Sequence, residues 1–188
     1  MSRIHVKKER VINARPEAVF EAISDYKAKR RQMLTPNFLD YSVERGGHGS
    51  GTMLRYLLRS AGRERPHHIS VQEPVKGQVL IERDTDSSLV TTWSVLPASH
   101  GRKTKVSVES EWTGGRGIGG FFERMFAPRG LRRIYDRMLS YLARQVEPQV
   151  QMAEMRERGK AIPGMGVPFL VVGGLSTAAL VARYMQKR

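Results

Sequence analysis

The sequence predicts an α+β domain in which an antiparallel sheet of about seven strands packs against a long C-terminal helix, followed by a further hydrophobic helix. Three observations predict this architecture. Short segments that alternate apolar and polar residues recur between residues 39 and 112. Residues 129–147 carry apolar side chains at helical spacing. A last stretch, residues 161–182, contains no charged residue.

The N-terminal part of the chain predicts a strand followed by a short helical region. Residues 4–12, IHVKKERVI, alternate as in a strand with one solvent-exposed face. Pro16 is typical of the first turn of a helix, so a helix is expected within residues 13–26. The basic stretch KAKRRQM at 27–33 predicts one more helical turn, which Pro36 ends.

A run of short strands follows the helical region. Strands are predicted at 39–43, 54–58, 67–72, 78–84, 89–96 and 104–112. The connections EPVKG, DTDSS and PASHGRK have the composition of tight turns. Strands joined by such short connections pair antiparallel, so this part of the chain predicts a meander.

The strongest helical pattern lies near the end of the meander. Its apolar residues are spaced so that they share one face, and they are Leu131, Ile134, Tyr135, Met138, Leu139 and Leu142. Arginines and Asp136 occupy the opposite side. The glycine-rich segment GGRGIGG at 114–120 lacks the lysine and the spacing of a nucleotide-binding loop, and we interpret it as a hinge before this helix.

The composition excludes several kinds of chemistry. The chain of 188 residues has no cysteine, which excludes disulfides, cysteine-based zinc sites and thiol catalysis. Its net charge of +14 indicates an anionic partner, although a general richness in arginine is the alternative source of part of this charge. Because no nucleic-acid docking motif accompanies the charge, we expect a phospholipid surface rather than a nucleic acid.

Three stretches of the chain resemble a known protein family. They are VINARPEAVFEAISDY at 11–26, TKVSVESEWT at 104–113 and RGLRRIYDRMLSYLARQVE at 129–147. Together they resemble the START-like (SRPBCC) superfamily, which has the helix-grip fold, and within it the polyketide cyclase/dehydrase and lipid-transport branch. The likeness covers about residues 3–147, but the family's usual Ala-Pro is interrupted here as Ala14-Arg15-Pro16. The resemblance implies that the antiparallel sheet is curved and wraps around the long C-terminal helix, and that an apolar cavity between sheet and helix binds hydrophobic ligands.

Large side chains on the concave face of the sheet and on the long helix are the candidates for lining this cavity. They are Tyr56, Trp93, Trp112, Phe121, Met125, Tyr135, Met138 and Leu142. Ordinary core packing is the alternative role for each of them. Because buried tyrosines need hydrogen-bond partners, Tyr56 and Tyr135 are expected either to orient a ligand or to bond to the protein itself.

The sequence contains no complete catalytic or metal-binding pattern. His67 and His68 begin a strand, so one of them must face inward. An inward His68 and Tyr135 are the candidates for a general acid, with a surface position as the alternative for His68. Adjacent histidines on a strand point to opposite faces and cannot chelate one metal ion together. No cofactor is expected.

The uncharged stretch at 161–182 predicts a membrane anchor. A helix of this length reaches about 33 Å, enough to cross a hydrocarbon core of about 30 Å. Its glycine and alanine content would allow close pairing of two such helices, and hence a homo-oligomer. We therefore expect a ligand-binding domain at 1–147, a charged stem at 148–160 and an anchor at 161–188. A docked helix and a disordered tail are the alternatives.

These observations predict membrane-associated binding or transport of a hydrophobic small molecule, such as a lipid, an isoprenoid or a polyketide-like compound. Since the N-terminus lacks the apolar core of a secretory signal, the domain is expected on the cytoplasmic side, with a soluble cytoplasmic protein as the alternative. The basic side chains expected against the membrane are Arg132, Arg133, Arg137, Lys27, Lys29, Arg30 and Arg31. The alternative functions are a polyketide cyclase or dehydratase and a non-catalytic interaction module recruited to a membrane.

Overall fold

The computed structural model describes residues 3–60, 62–114 and 127–147, which all belong to one unit, Met1–Glu154. In chain order its elements are β1 (Arg3–Ile12), α1 (Pro16–Ser24), α2 (Lys29–Met33), β2 (Phe38–Arg45), β3 (Met53–Ser60), β4 (Arg63–Val75), β5 (Val79–Asp84), β6 (Val90–Ala98), β7 (Lys103–Thr113) and α3 (127–147). This order confirms the predicted α+β helix-grip architecture.

The strands form one antiparallel sheet of seven strands in the order β1-β7-β6-β5-β4-β3-β2. Strands β2 to β7 follow one another as a meander, while β1 pairs with the last strand. Strand β4 is longer than the sequence indicates because its ends carry polar residues and two prolines outside the alternating part. At the edge, β2 has a register shift after Leu39, where Asp40 has a positive φ of 51°.

Alternation along the strands creates the inner face of the sheet. Cross-strand pairs such as Leu80 with Trp93 and Val95 with Val106 place large apolar side chains side by side on this face. The face of α3 that carries the predicted apolar residues is buried, and all of them belong to the core cluster. The core therefore lies between the inner face of the sheet and the helices.

Polar contacts bind α3 to the first strand. The Arg10 guanidinium donates to the Ser140 hydroxyl at 2.8 Å, and Lys8 pairs with Asp136 at 3.5 Å. These contacts hold the helix near the β1 edge, so that its buried face covers the inner side of the sheet.

The predicted stem at 148–160, the predicted anchor at 161–188 and most of the predicted hinge lie outside the described residues. Within the described part of the chain, no helix is both long and apolar enough to cross a membrane. The membrane anchor thus stays a prediction.

Candidate functional site

A cavity of about 30 Å³ lies between the inner face of the sheet, α2 and α3. This volume has room for one or two water molecules. Both apolar and polar side chains surround it: Tyr26, Arg30, Leu34, Phe38, Tyr41, Leu54, Tyr56, Glu82, Thr91, Trp93, Tyr135 and Met138. Four of them, Tyr56, Trp93, Tyr135 and Met138, are among the side chains that the sequence predicts for the cavity.

A buried ion pair lies in the wall of this cavity. The short helix α2 directs Arg30 inward, and alternation along β5 places Glu82 on the inner face, so that Arg30 Nη2 lies 2.6 Å from Glu82 Oε1. Arg30 is only 4% exposed and Glu82 only 8%. Burial disfavours the charged form of Arg30, but Glu82 and the nearby tyrosines together outweigh burial, and the guanidinium pKa lies above its ordinary value.

This position of Arg30 contradicts the prediction that it belongs to the membrane-facing basic surface. The pattern KAKRRQM consists almost entirely of surface-type residues, yet one turn of helix necessarily points some of them inward. Arg30 is the one that meets an acidic partner. Lys27 and Arg31, in contrast, are exposed, and the half-buried Lys29 pairs with Glu21 at 3.1 Å.

Two tyrosines extend the ion pair into a hydrogen-bond network. The Tyr26 hydroxyl donates to Glu82 Oε1 at 2.9 Å, and the Tyr41 hydroxyl donates to the backbone oxygen of Tyr26 at 2.9 Å. Burial raises the pKa of both phenols, and the negative charge of Glu82 raises it further. Both tyrosines therefore stay protonated at neutral pH and act as donors.

Arg30 and Trp93 each leave one donor unused. The Arg30 guanidinium carbon lies 4.2 Å from the centre of the Trp93 ring, a cation–π contact. Arg30 Nη1 and Trp93 Nε1 are both buried and have no hydrogen-bond partner among the described residues. A buried donor without an acceptor costs about 1–3 kcal/mol, so these two groups need an explanation.

On the helix side, Tyr135 is held by a chain of hydroxyl groups. Its hydroxyl lies 2.5 Å from Ser110 Oγ, which in turn lies 2.6 Å from Thr91 Oγ1. Burial raises the pKa of Tyr135, although its bonds to Ser110 and Thr91 counteract this rise. Tyr135 thus bonds to the protein itself, which was one of the two roles expected for it.

The inward histidine is His67, not His68. His67 is 9% exposed, and its Nδ1 lies 2.8 Å from Asp84 Oδ2. His68 is exposed and pairs with Asp86, and this pairing raises its pKa. His68 thus has the surface position that was its alternative in the sequence analysis, because the register of β4 pairs Tyr56 with His67 on the inner face.

The buried carboxylate of Asp84 orients the ring of His67. Its carboxylate also accepts bonds from the Ser87 hydroxyl at 2.6 Å and from the backbone of His68. Burial would raise the pKa of Asp84, but the hydrogen bonds from Ser87, His67 and the backbone of Asp86, together with the charge of His67, outweigh burial, and the pKa lies below its ordinary value. The ring of His67 lies 5.4 Å from the ring of Tyr56, centre to centre, next to the cavity wall.

The remaining predicted cavity residues have other positions. Leu142 is fully buried in the core, and Trp112 is partly buried against it, but neither is among the side chains that line the cavity. Phe121 and Met125 lie outside the described residues. On α3, Arg132, Arg133 and Arg137 are exposed, as a basic surface requires.

The outer face of β1 and β7 carries one cluster that the sequence analysis missed. His5, Glu109 and Glu111 have ligand atoms within 4.8 Å of one another, a spacing that would suit a metal ion. His5 Nε2 lies 2.6 Å from Glu109, and Arg3 lies 3.4 Å from Glu111. Because Arg3 already compensates one carboxylate, we interpret the cluster as part of a cross-strand row of opposite charges.

Comparison with known proteins is consistent with this geometry. Solved structures that match include the KanY protein, with 41% sequence identity, 78% of this chain and 99% of that chain covered, and a TM-score of 0.68. TTHA0849 from Thermus thermophilus matches at 19% identity, with 79% of this chain and 98% of that chain covered and a TM-score of 0.62. The di-domain aromatase/cyclase BexL from the BE-7585A biosynthetic pathway matches at 15% identity, with 77% of this chain and 50% of that chain covered and a TM-score of 0.59.

The last two likenesses, at below 25% identity, show the fold alone. No curated protein matches the chain. A family model described as polyketide cyclase/dehydrase and lipid transport matches residues 3–147, which are the residues of the predicted ligand-binding domain. The chain therefore belongs to the polyketide cyclase/dehydrase and lipid-transport family.

Proposed function

We propose that the protein binds a hydrophobic small molecule between α3 and the sheet, and that it exchanges this molecule with a membrane. Family and fold support the general role of a hydrophobic-ligand-binding helix-grip domain. The observation that carries the proposal is the cavity itself, in which aromatic and aliphatic side chains surround a buried ion pair.

Stability alone is a weak reason to keep such a pair. Removing two charges from water costs several kcal/mol each, and well-packed apolar residues often serve a core equally well or better. Around Arg30 and Glu82 the structure instead maintains a polar centre inside an apolar wall. Ligand pockets have this composition, because apolar walls supply affinity and a few polar groups fix orientation.

The cavity volume limits what the closed domain can hold. About 30 Å³ accommodates the polar end of a ligand but not a polycyclic or acyl body. Binding a larger molecule therefore requires α3 to move away from the sheet. The predicted glycine hinge before α3 would permit such a movement, and a membrane surface would supply the apolar molecule that enters.

Membrane association is the less direct part of the proposal. The exposed arginines of α3 form a basic surface that suits anionic head groups, and the uncharged stretch at 161–182 has the length of a membrane span. Exchange of ligand at the bilayer would then take place beside the helix that covers the cavity.

Mass spectrometry of an organic extract from the detergent-free domain, residues 1–160, tests the binding function. A stoichiometric apolar molecule is the expected result. The matched control is Leu54→Phe, whose larger ring fills the cavity beside Tyr56 and should abolish co-purification while the domain stays folded. An empty extract from the wild-type domain, with no uptake from a lipid panel, would favour a non-catalytic interaction module whose cavity is closed by its own side chains.

The alternative function, a cyclase or dehydratase acting on a polyketide-like substrate, is favoured by one observation. His67 is buried, adjacent to the cavity wall, and oriented by Asp84 through Nδ1. A histidine held in this way has its second ring nitrogen available for proton transfer. A pure carrier has no need for such an arrangement.

A further inference from the structure

We infer that the ligand presents an uncharged oxygen acceptor, such as a ketone or ester carbonyl, to Arg30 and Trp93. This inference rests on the proposed binding function and names the chemical class of its ligand. It depends on three features of the cavity: its unused donors, its existing hydrogen bonds and its charge balance.

The unused donors belong to two side chains that line the same cavity. Arg30 Nη1 and Trp93 Nε1 have no acceptor among the described residues, and Arg30 and Trp93 are only 4% and 1% exposed. Neither group can accept a hydrogen bond, because a guanidinium and an indole N–H only donate. A complementary ligand must therefore offer an acceptor at this end of the cavity.

Three of the tyrosine hydroxyl groups around the cavity are already used within the protein. Tyr26 donates to Glu82, Tyr41 donates to a backbone oxygen, and Tyr135 bonds to Ser110. These bonds fix the surroundings of Arg30 and leave its free nitrogen unsatisfied. The arrangement resembles a preorganised donor pair whose partner arrives with the ligand.

The charge balance excludes a carboxylate as the preferred acceptor. Glu82 already neutralises Arg30, and the second buried acid on the inner face, Asp84, is compensated only by hydrogen bonds and His67. A carboxylate ligand would add a buried negative charge without a matching cation. A carbonyl oxygen can accept from these donors, and it leaves the balance unchanged.

Three naphthalenes of similar shape test the inference by titration of the full chain: 2-acetylnaphthalene, 2-isopropylnaphthalene and 2-naphthoate. The first compound presents a neutral carbonyl. In the second a methyl group replaces the carbonyl oxygen, and the third carries a negative charge. We expect 2-acetylnaphthalene to bind about tenfold more tightly than either of the others, since a hydrogen bond to a charged donor is gained without a charge penalty. The indole N–H resonance of Trp93 should lie further downfield with 2-acetylnaphthalene than with 2-isopropylnaphthalene, since the two rings shift it alike and only the carbonyl accepts a hydrogen bond.

Two variants assign the preference to its donors. Trp93→Phe removes one donor, and the double variant Arg30→Met/Glu82→Gln removes the other without leaving an unpaired charge. Both should reduce the preference for 2-acetylnaphthalene over 2-isopropylnaphthalene, and neither should abolish it, because each variant keeps one of the two donors. Trp112→Phe is the matched control, because Trp112 does not line the cavity, and it should leave the preference unchanged. If the double variant does not fold, Trp93→Phe and the indole resonance still decide.

The outcomes separate the inference from the function on which it rests. Equal binding of the acetyl and isopropyl compounds would overturn the inference and leave hydrophobic binding intact. Tightest binding of 2-naphthoate would overturn it through the charge argument. If none of the three compounds binds, the proposed function itself fails. The two donors would then bond to water molecules enclosed in the cavity.

Discussion

Arg30 lies at the centre of the candidate site because its charge is almost fully buried and yet compensated from several directions. Glu82 supplies the counter-charge, and the rings of Trp93 and Tyr26 lie 4.2 and 5.4 Å from the guanidinium carbon. Coulomb attraction is strong in such surroundings, but so is the cost of desolvation. The consequence is an asymmetry between removing one charge and removing both.

This asymmetry gives a stability prediction. Arg30→Met should lower the free energy of unfolding by about 3–5 kcal/mol, because Glu82 is left buried without a partner. Arg30→Met/Glu82→Gln should recover most of this loss, since the amide oxygen still accepts from Tyr26 and no charge stays buried. Urea denaturation of the wild type, both single variants and the double variant measures the coupling. Additive losses would show that the two charges do not interact energetically.

His67 provides the residue-scale test of the enzymatic alternative. If the protein is a cyclase or dehydratase, His67→Asn should reduce turnover of a poly-β-ketone substrate by roughly 10²–10⁴-fold, the range of general acid–base catalysis, with binding little changed. His68→Asn is the matched control, because His68 is exposed and should be dispensable. Equal turnover in both variants would show that His67 has no catalytic role. A melting curve for each variant would exclude loss of activity through unfolding.

At the scale of elements, periodicity made most of the fold predictable. The six apolar residues proposed for α3 are all buried, and β3, β5, β6 and β7 lie where period-two alternation indicates. Such patterns are informative because each long element packs one face on a single core. Strand β4 was predicted too short, because its outer residues pair with β3 without being buried.

The polar centre of the cavity was not predictable in the same way. Helix α2 has only five residues, too few to show a period, and its letters are those of a surface segment. The partner of Arg30 lies 52 positions away on β5, a pairing that only the folded sheet creates. Alternation of Leu80, Glu82 and Asp84 on one face was the available signal, since acids at inward strand positions require partners.

The register of β4 is a second limit at this scale. The sequence established that one of two adjacent histidines must face inward but not which one. A shift of one residue exchanges the faces of a whole strand, and the pairing with β3 decides it. Ile69 and Val71 share the inner face with His67, so continuing the apolar alternation backward from them would have selected the correct histidine.

For the whole molecule, the question is how the charge of +14 relates to the predicted anchor. The arginines at 132, 133 and 137 are exposed on the outer side of α3, opposite the face that closes the cavity. A membrane bound to this side would contact the helix that, in the proposed function, moves when a ligand enters. Electrostatic attraction and the C-terminal stretch would then act together, one orienting the domain and the other retaining it.

Flotation with liposomes separates these two contributions. Arg132→Glu/Arg133→Glu in residues 1–160 should weaken binding to anionic vesicles by roughly 30-fold or more at low salt, at ~1 kcal/mol per basic residue, and the difference should shrink as salt rises. Arg102→Glu/Lys103→Glu, at the exposed start of β7, carries the same charge change and should have a smaller effect. The full chain should also stay with membranes after an alkaline wash, whereas residues 1–160 should be released. Equal losses of vesicle binding in both charge variants would show that only net charge matters and that the α3 surface has no special role. Release of the full chain by the alkaline wash would contradict the predicted membrane anchor.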